Sequence, residues 1–238
     1  MEKLIYGLWK PDAQDAEDFR NTLLGRIAPM MADRGAGRIK VNVADEAVAP
    51  AHGLRMITRH EAPDATVSFW LNAAHQRGIF TTILSQASPR LAGYAVAESC
   101  ALPNRAVEAD MAGRTRGFNQ VTFLEVPATL TQAAWLNHWM DTHTRVAIET
   151  QANFYYCQNI ITRPLTSDAP GWSGIVEECF PDTAMDDRAV FFDADGDPDK
   201  EKRHFKQMMA SCAAFIDFET ITVVPMSEYR LGGWSDTL

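Results

Sequence analysis

Cysteine is scarce in this sequence of 238 residues, which contains only Cys100, Cys157, Cys179 and Cys212. None of them forms a C-x-x-C pair, the spacing that is typical of redox motifs and zinc sites. We therefore expect four buried free thiols in a reducing compartment, the cytoplasm. A disulfide between Cys157 and Cys179 is the alternative, because the two can face each other across a hairpin.

Long hydrophobic runs and an excess of basic residues are also absent. No segment approaches the roughly 18 apolar residues that a membrane span requires, and no apolar stretch follows the first charges as in a signal peptide. The net charge is −9, from 22 Lys and Arg against 31 Asp and Glu. This balance argues against nucleic acid and against an anionic membrane as partners. We expect a cytoplasmic protein.

Cofactor and metal motifs are missing as well. The sequence has no G-x-G-x-x-G, Walker or G-x-S-x-G pattern, which argues against nucleotide binding and a hydrolase elbow. His138 and His143 are five residues apart and point about 140° apart on a helix, at roughly 100° per residue, so they are a poor zinc pair. In the acidic stretch 193–197, Gly196 is misplaced for an EF-hand loop. We expect neither a metal nor a cofactor.

The clearest helix in the sequence covers residues 129–149. Thr129 and Gln132 form a capping box, the start signal of a helix. Trp135, Trp139 and His143 then recur at every fourth residue, which places them on one helical face. A histidine at the end of an otherwise apolar face is the most informative single residue of the chain.

The order of predicted elements repeats. Alternation of period two, helical periodicity and Pro or Gly breaks predict eight strands and four main helices. The strands are 3–9, 38–44, 65–71, 91–102, 120–126, 153–163, 172–180 and 218–224, and the helices are 12–34, 73–87, 129–149 and one that begins after Asp197. Pro11 and Asp12 precede the first helix, and Pro225 ends the last strand. Each half therefore reads β-α-β-β-α-β, the ferredoxin-like order.

A shift of 116 positions aligns the two halves without a gap. It places Pro11 on Pro127, Phe19 on Trp135, Leu23 on Trp139 and Ile27 on His143. These matches indicate an internal duplication. We predict an α+β fold in which two ferredoxin-like repeats, 1–103 and 120–238, pack sheet to sheet as a dimeric α/β barrel within one chain. Residues 104–119, which have no apolar period, form the predicted linker.

The second half also resembles the EthD family of dimeric α/β-barrel proteins. The resemblance lies in His-Trp-Met-Asp-Thr-His-Thr (138–144), similar to that family's Trp-x-x-x-His helix end, and in the segments 148–151, 158–165, 176–181, 211–218 and 227–231. The family's helix usually ends His-Ala-Pro, whereas this chain has His143-Thr144-Arg145. The resemblance implies a cytoplasmic, homodimeric protein that takes part in breaking down or tailoring small hydrophobic molecules.

His143 is the first candidate catalytic residue. Burial beside an apolar cavity lowers the pKa of a histidine and makes it a neutral base at pH 7. The alternative is a core histidine bonded to a backbone carbonyl, and Ile27 at the matched position shows that the position can be purely structural.

Glu178 and Tyr156 are the other two candidate catalytic residues. Adjacent strand residues face opposite sides, so at least one of Glu177 and Glu178 must be buried. The phase places Glu178 with Val176 and Phe180, and a position inside the barrel would raise the pKa of its carboxyl. Ion pairing of Glu178 with Arg163 or Arg230 is the alternative. For Tyr156, plain cross-strand packing is the alternative.

We expect Trp139, Gln158 and Arg163 to contact the substrate of a cofactor-independent acid/base enzyme. That substrate would be a small hydrophobic compound, aromatic or carbonyl-bearing. Two other hypotheses stay open at this point. One is a non-catalytic binding or accessory protein of an oxygenase pathway. The other is haem binding through His143.

Overall fold

The computed structural model describes residues 1–104, 109–111 and 113–231. Nine strands form one antiparallel sheet: β1 Glu2–Trp9, β2 Gly37–Val43, β3 Met56–Ile57, β4 Ala65–Leu71, β5 Arg90–Leu102, β6 Phe118–Leu124, β7 Tyr155–Pro164, β8 Gly174–Phe180 and β9 Thr222–Leu231. Eight of them follow the order β2-β4-β1-β5-β7-β8-β6-β9, and β9 pairs back with β2. The sheet is therefore a closed barrel, and the short β3 extends it beside β9.

Each half of the chain supplies four neighbouring strands of the barrel. Numbered within its own half, each set has the order 4-1-3-2. The halves are joined by backbone pairing along both edges, β5 with β7 and β9 with β2. The α+β barrel is thus confirmed, with its edges removed by closure. The internal duplication stays a prediction.

Two long helical stretches cover the outside of the barrel. The first consists of α1 Ala16–Thr22, a π-helical segment Leu23–Ile27 and α2 Ala28–Asp33. The second consists of α4 Gln132–Asn137, a π-helical segment His138–His143 and α5 Thr144–Thr150. The two π-helical segments end at Ile27 and His143, which the 116-residue shift had aligned.

Both of these stretches begin later than the sequence predicted. Asp15, not Asp12, caps α1, with its carboxylate accepting from the backbone N–H of Asp18 at 2.8 Å. Thr131, not Thr129, caps α4 and accepts from the N–H of Ala134 at 3.2 Å. In each case a second capping residue lay two or three positions further along, and local pattern does not decide between such neighbours.

The remaining helices are shorter or separate. The predicted helix 73–87 consists of a 3₁₀ segment Ala74–Arg77 and α3 Gly78–Leu84. A 3₁₀ segment Glu46–Leu54 lies between the predicted strands 38–44 and 65–71, and α6 spans Arg188–Phe191. The last helix, α7 Pro198–Ala213, begins as predicted, because Asp197 accepts from the N–H of Lys200 at 2.9 Å.

Two predicted boundaries near the chain's middle and end are wrong. Pro225 does not end the last strand but lies inside β9, opposite Gln120 of β6. On its other edge β9 pairs with β3 up to Val223 and with β2 from Ser227 onward. Pro225 lies between these two pairings, so no strand on that edge requires the backbone N–H that proline lacks. The predicted linker 104–119 is also too long, because β6 begins at Phe118. Residues 105–108 and 112 of that linker lie outside the described residues.

The barrel interior is apolar at one end and charged at the other. The apolar end is formed by Ile5, Trp9, Ala62, Ala92, Tyr94, Val96, Val121, Phe123, Trp172, Ile175, Val224 and Met226. At the charged end, Lys40 Nζ lies 2.7 Å from Glu177 Oε1, and Lys3 Nζ lies 2.6 Å from Glu98 Oε2 and 3.5 Å from Glu177 Oε2. Burial alone would raise the pKa of Glu177, but Lys40 and Lys3 outweigh it and hold this pKa well below its ordinary range.

The cysteines lie differently from the prediction. Cys157 is buried and faces Cys100 across the β5–β7 pair, whereas Cys179 faces Tyr155. The predicted alternative of a Cys157–Cys179 disulfide is therefore wrong, since the two residues are not opposite each other, and all four cysteines are free. Cys100 is exposed and Cys212 is half-buried, so only two of the four thiols are buried as expected.

The charged end of the barrel makes a testable prediction. We expect Glu177→Gln to lower the free energy of unfolding by about 3 kcal/mol or more, because it leaves Lys3 and Lys40 buried with too little negative charge. Urea unfolding at pH 7 measures this change. As a control, Glu61→Gln removes the exposed partner of Arg90 and should cost less than about 1 kcal/mol. Equal effects of the two changes would contradict the assigned role of Glu177.

Candidate active site

A cavity of about 330 Å³ lies between the outer face of the second half of the sheet and the helices that cover it. The sheet contributes side chains from β6, β8, β7 and β9, and the covering layer contributes the π-helical segment 138–143 and α7. Most of the lining is aromatic or aliphatic. The polar side chains that line it are those of Gln120, Thr122, His143, Gln151, Tyr156 and Glu178. No Lys or Arg is among the described residues of the lining.

The π-helical segment places two of the lining side chains. Trp139 is fully buried and His143 retains 7% of its surface. The Trp139 ring lies directly on Gly174 of β8, where an added Cβ would come within 2.6 Å of it. The carbonyl oxygen of Trp139 accepts hydrogen bonds from the backbone N–H and the hydroxyl of Thr144, so this carbonyl has partners within the wider π-helical turn. A glycine in the strand and a wide turn in the helix thus bring the indole onto the sheet.

A chain of hydrogen bonds holds the tyrosine of the cavity. The indole N–H of Trp139 donates to the Tyr156 hydroxyl over 3.3 Å. The Gln158 amide donates to Thr144 Oγ1 over 2.8 Å, which ties β7 to the start of α5. Burial raises the pKa of Tyr156 well above its ordinary value, so the phenol stays neutral and its own hydrogen is available to an acceptor.

Glu178 is the carboxyl of the cavity. Burial raises its pKa from the ordinary 4.5 to about 7, and the side chains of Asn153 and Gln120 offset only part of this effect. Its neighbour Glu177 points to the opposite face of β8, where the lysines lie. No lysine or arginine of the described residues forms an ion pair with Glu178, and a buried carboxyl without a cation takes up a proton readily. Its pKa is therefore close to the optimum of a general base at neutral pH.

His143 is the imidazole of the cavity. Burial lowers its pKa to about 4, and the charge of nearby His138 acts in the same direction. Its Nδ1 lies 3.0 Å from Ser211 Oγ of α7, and its ring packs on Phe215 with 4.6 Å between centroids. The predicted alternative, a ring bonded to a backbone carbonyl, is wrong, because the partner is a hydroxyl. At pH 7 the imidazole is neutral.

The structure brings most of the predicted site residues together. His143, Glu178, Tyr156 and Trp139 all line the one cavity. Gln158 is buried behind it on the same face of β7. Arg163 is exposed near the far end of β7 and does not line the cavity. The alternative for Glu178, an ion pair with Arg163 or Arg230, is wrong, since Arg163 is exposed and Arg230 pairs with Glu228 at 2.8 Å.

The sequence left open which face of β8 lines the barrel, and the structure answers this. The faces of β8 alternate as predicted, but the face with Glu178 and Phe180 packs under the helices, and the face with Ile175 and Glu177 lines the barrel. Sequence alternation separates the two faces of a strand but does not say which one a helix covers. The site therefore lies between sheet and helices.

Sequence reasoning missed part of the lining. Gln120 lies opposite Glu178 where β6 pairs with β8. It alternates in phase with the apolar Phe118 and Leu124, and this alternation was the sequence signal that could have placed it on the buried face of β6. Met208, whose helical spacing in the sequence does not distinguish it from core packing, also lines the cavity from α7. Ser211 carried no signal in the sequence, because a single serine on a helix has many ordinary roles.

A second cavity, of about 480 Å³, adjoins the first. Its lining is formed by Pro50, Gly53, Leu54, Ala184, Met185, Asp186, Arg188, Phe191 and Phe192. Gly53, Leu54, Phe191 and Phe192 line both cavities. These four residues therefore form the partition between them.

Solved structures of similar architecture were found. One, a candidate monooxygenase from Fusobacterium nucleatum subsp. nucleatum, matches with a TM-score of 0.55 and 9% identity, over 98% of this chain and 95% of its own. Another, described as an anthrone oxidase-like protein, matches with a TM-score of 0.53 and 9% identity, over 100% and 97%. This chain shares the overall fold of these structures, which here is an α+β barrel of eight antiparallel strands. At such identities the likeness shows the fold alone.

The sequence comparisons show no family for this chain. No family model matches the chain, and no curated protein sequence matches it. The resemblance to the EthD family stays a prediction. None of the helices in the described parts of the barrel protein is long and apolar enough to cross a membrane.

The opposite pKa changes of Glu178 and His143 predict opposite pH effects on stability. The raised pKa of Glu178 contributes stability below about pH 4.5 that is lost as pH rises through 7. We expect Glu178→Gln to remove this loss. The free energy of unfolding of the variant minus that of the unmodified protein should be about 1–3 kcal/mol larger at pH 8 than at pH 4.5. Denaturant unfolding across this range measures it.

His143 acts on the acid side. Its lowered pKa means that stability is lost as pH falls from 6.5 towards 4, because the unfolded chain binds the proton first. His143→Gln should flatten that acid limb and leave the limb above pH 7 unchanged. A variant that flattens both limbs, or neither, would contradict the assignment of the two groups.

Proposed function

We propose that this protein catalyses cofactor-independent proton transfer on a small aromatic compound that carries a carbonyl group. Glu178 is the general base, and His143 with Tyr156 donates hydrogen bonds to the oxygen on which charge develops. The carrying observation is that one cation-free apolar cavity holds a carboxyl with a pKa near 7 and an imidazole with a pKa near 4. Environments that push two titratable groups apart in this way are typical of acid/base pairs.

The assignment of roles follows from these pKa values. A histidine with a pKa of about 4 is a weak base at pH 7, so it serves as a neutral hydrogen-bond donor. Glu178 is partly ionised at the same pH and accepts a proton. The carboxylate removes a proton from carbon next to the carbonyl, and the enolate oxygen that results is stabilised by donors in a dry site. Return of the proton from Glu178 to another carbon completes an isomerisation.

The lining supports an aromatic ketone as the substrate class. The rings of Trp139, Phe191 and Phe215 surround the space, which is of the size that suits one or two fused rings. One structural neighbour is described as anthrone oxidase-like, a name that refers to an aromatic ketone. This analogy of fold is a secondary support.

Haem fits this cavity poorly. A porphyrin with its side chains is large for about 330 Å³, and the His143 ring is packed on Phe215. The absorbance spectrum of the purified protein between 380 and 430 nm (about the Soret region) settles the point, since a bound haem gives a Soret band there.

Deuterium exchange tests the proposed reaction without knowledge of the product. Aromatic ketones with an acidic α-hydrogen are incubated with the protein in D₂O, and NMR follows the loss of the α-proton. We expect Glu178→Gln to slow exchange by about 10²-fold or more with ligand affinity changed less than about threefold. The rate should rise with pH and level off above 7.

The matched control is Glu149→Gln, which changes an exposed carboxyl on α5 and should exchange at the unmodified rate. Binding of the ketones without any exchange above the buffer rate would refute catalysis. It would favour the non-catalytic, accessory role instead.

The partition between the two cavities predicts a change in substrate size. We expect Phe192→Ala to connect them, so that ketones with three fused rings bind at least about tenfold more tightly while single-ring ketones bind within threefold. Quenching of tryptophan fluorescence measures both, because Trp139 lines the cavity. Phe205→Ala is the control, since this ring contacts Phe192 but does not line either cavity. An equal effect of the two changes on large ketones would contradict the partition.

A further inference from the structure

We propose that Ser211 and His138 hold His143 in the tautomer that carries its proton on Nε2, so that the ring offers an N–H to the guest. This inference deepens the proposed function and rests on it for its catalytic meaning. It makes Ser211 a positioning residue, since it acts through His143. The geometry that carries it lies between α7 and the π-helical segment 138–143.

Ser211 lies in the last turn of α7 and is buried, with 7% of its surface exposed. Its hydroxyl lies 3.0 Å from His143 Nδ1 and 3.4 Å from His138 Nε2. Its backbone carbonyl lies 3.1 Å from the same His138 Nε2. Two histidines of one helical segment therefore meet one serine of another helix.

The direction of each hydrogen bond follows from what each atom can do. A carbonyl oxygen only accepts, so His138 Nε2 must carry a hydrogen and donate it to the Ser211 carbonyl. His138 Nε2 thus has no lone pair for the Ser211 hydroxyl. Among the hydrogen bonds of the described residues, His143 Nδ1 is then the acceptor left for that hydroxyl.

The ring of His143 has one proton when neutral. Since Nδ1 accepts from Ser211, the proton is on Nε2. His143 lines the cavity, and no hydrogen bond to its Nε2 occurs in the described part of the chain. The ring packs on Phe215, which limits its rotation. His143 thus offers an N–H donor to a ligand bound in the cavity, and Glu178 is the base.

Long-range ¹H–¹⁵N spectra of the ligand-free protein at pH 7 test this arrangement, because the two ring nitrogens shift differently in the two tautomers. We expect His143 to favour the Nε2–H form by roughly tenfold or more. His204 is an internal reference of the opposite kind, since its Nδ1 lies 2.7 Å from the Phe192 carbonyl and must carry the hydrogen. His143→Gln assigns the signals.

Two serine variants separate positioning from packing. Ser211→Ala should let the tautomer ratio relax severalfold towards that of a free imidazole, and Ser211→Thr, which keeps the hydroxyl, should restore it. Deuterium exchange of the ketone should slow about tenfold in Ser211→Ala at unchanged affinity, and Ser211→Thr should recover the rate. A His143 signal with the proton on Nδ1, or a ratio unaffected by Ser211→Ala, would overturn the inference.

The two proposals fail in distinguishable ways. The tautomer is measured without substrate, so it can be correct while no ketone exchanges, and then the proposed reaction alone is refuted. If exchange depends on Glu178 but the tautomer ratio ignores Ser211, the positioning role alone is refuted.

Discussion

The structure depends on the pleat of one strand, which sends two adjacent glutamates to opposite sides of the sheet. Glu177 enters the barrel, where Lys40 Nζ is 2.7 Å away, and Glu178 enters the cavity under the helices, where no cation lines the described walls. The same chemical group is therefore firmly ionised on one face and poised to bind a proton on the other. A shift of register by one residue would exchange the two roles.

Closure of the barrel keeps that register in place. Every strand of the eight has a backbone partner on both sides, so β8 cannot slide without breaking its pairing with both β6 and β7. The ion pairs inside the barrel add a second constraint, because a buried charge tolerates no displacement from its partner. The wall of the cavity that the sheet forms is therefore rigid. Its helical side is held by Trp139 on Gly174 and by Ser211 on His143.

Sequence reasoning predicted the fold better than the site. Period-two alternation located all eight barrel strands, and Ala65–Leu71 was predicted to the residue. The start of the first helix was misplaced because Asp12 and Asp15 offer the same capping chemistry. Pro225 was predicted to end the last strand because the local sequence does not show that β2 and β3 leave it without a pairing partner on that edge of β9. The spacing of Trp139 and His143 identified the cavity's helix. Which face of β8 the helices cover depends on long-range pairing, so the sequence left the layer of Glu178 open. Arg163 was assigned to a site whose lining does not include it.

The two halves of the barrel differ in the side chains that lie beneath their helices. In the first half these side chains are apolar, since Ile27 occupies the position matched to His143 and the rings of Phe69 and Phe80 pack at 5.3 Å between centroids. In the second half the imidazole of His143 and the carboxyl of Glu178 lie beneath the helices instead. Burial of either group without a partner costs free energy. His143 has Ser211 as its partner, whereas no Lys or Arg of the described lining lies beside Glu178. Burial of that carboxyl costs stability at neutral pH, and the proposed role of Glu178 as a general base would account for why such a group occupies the cavity.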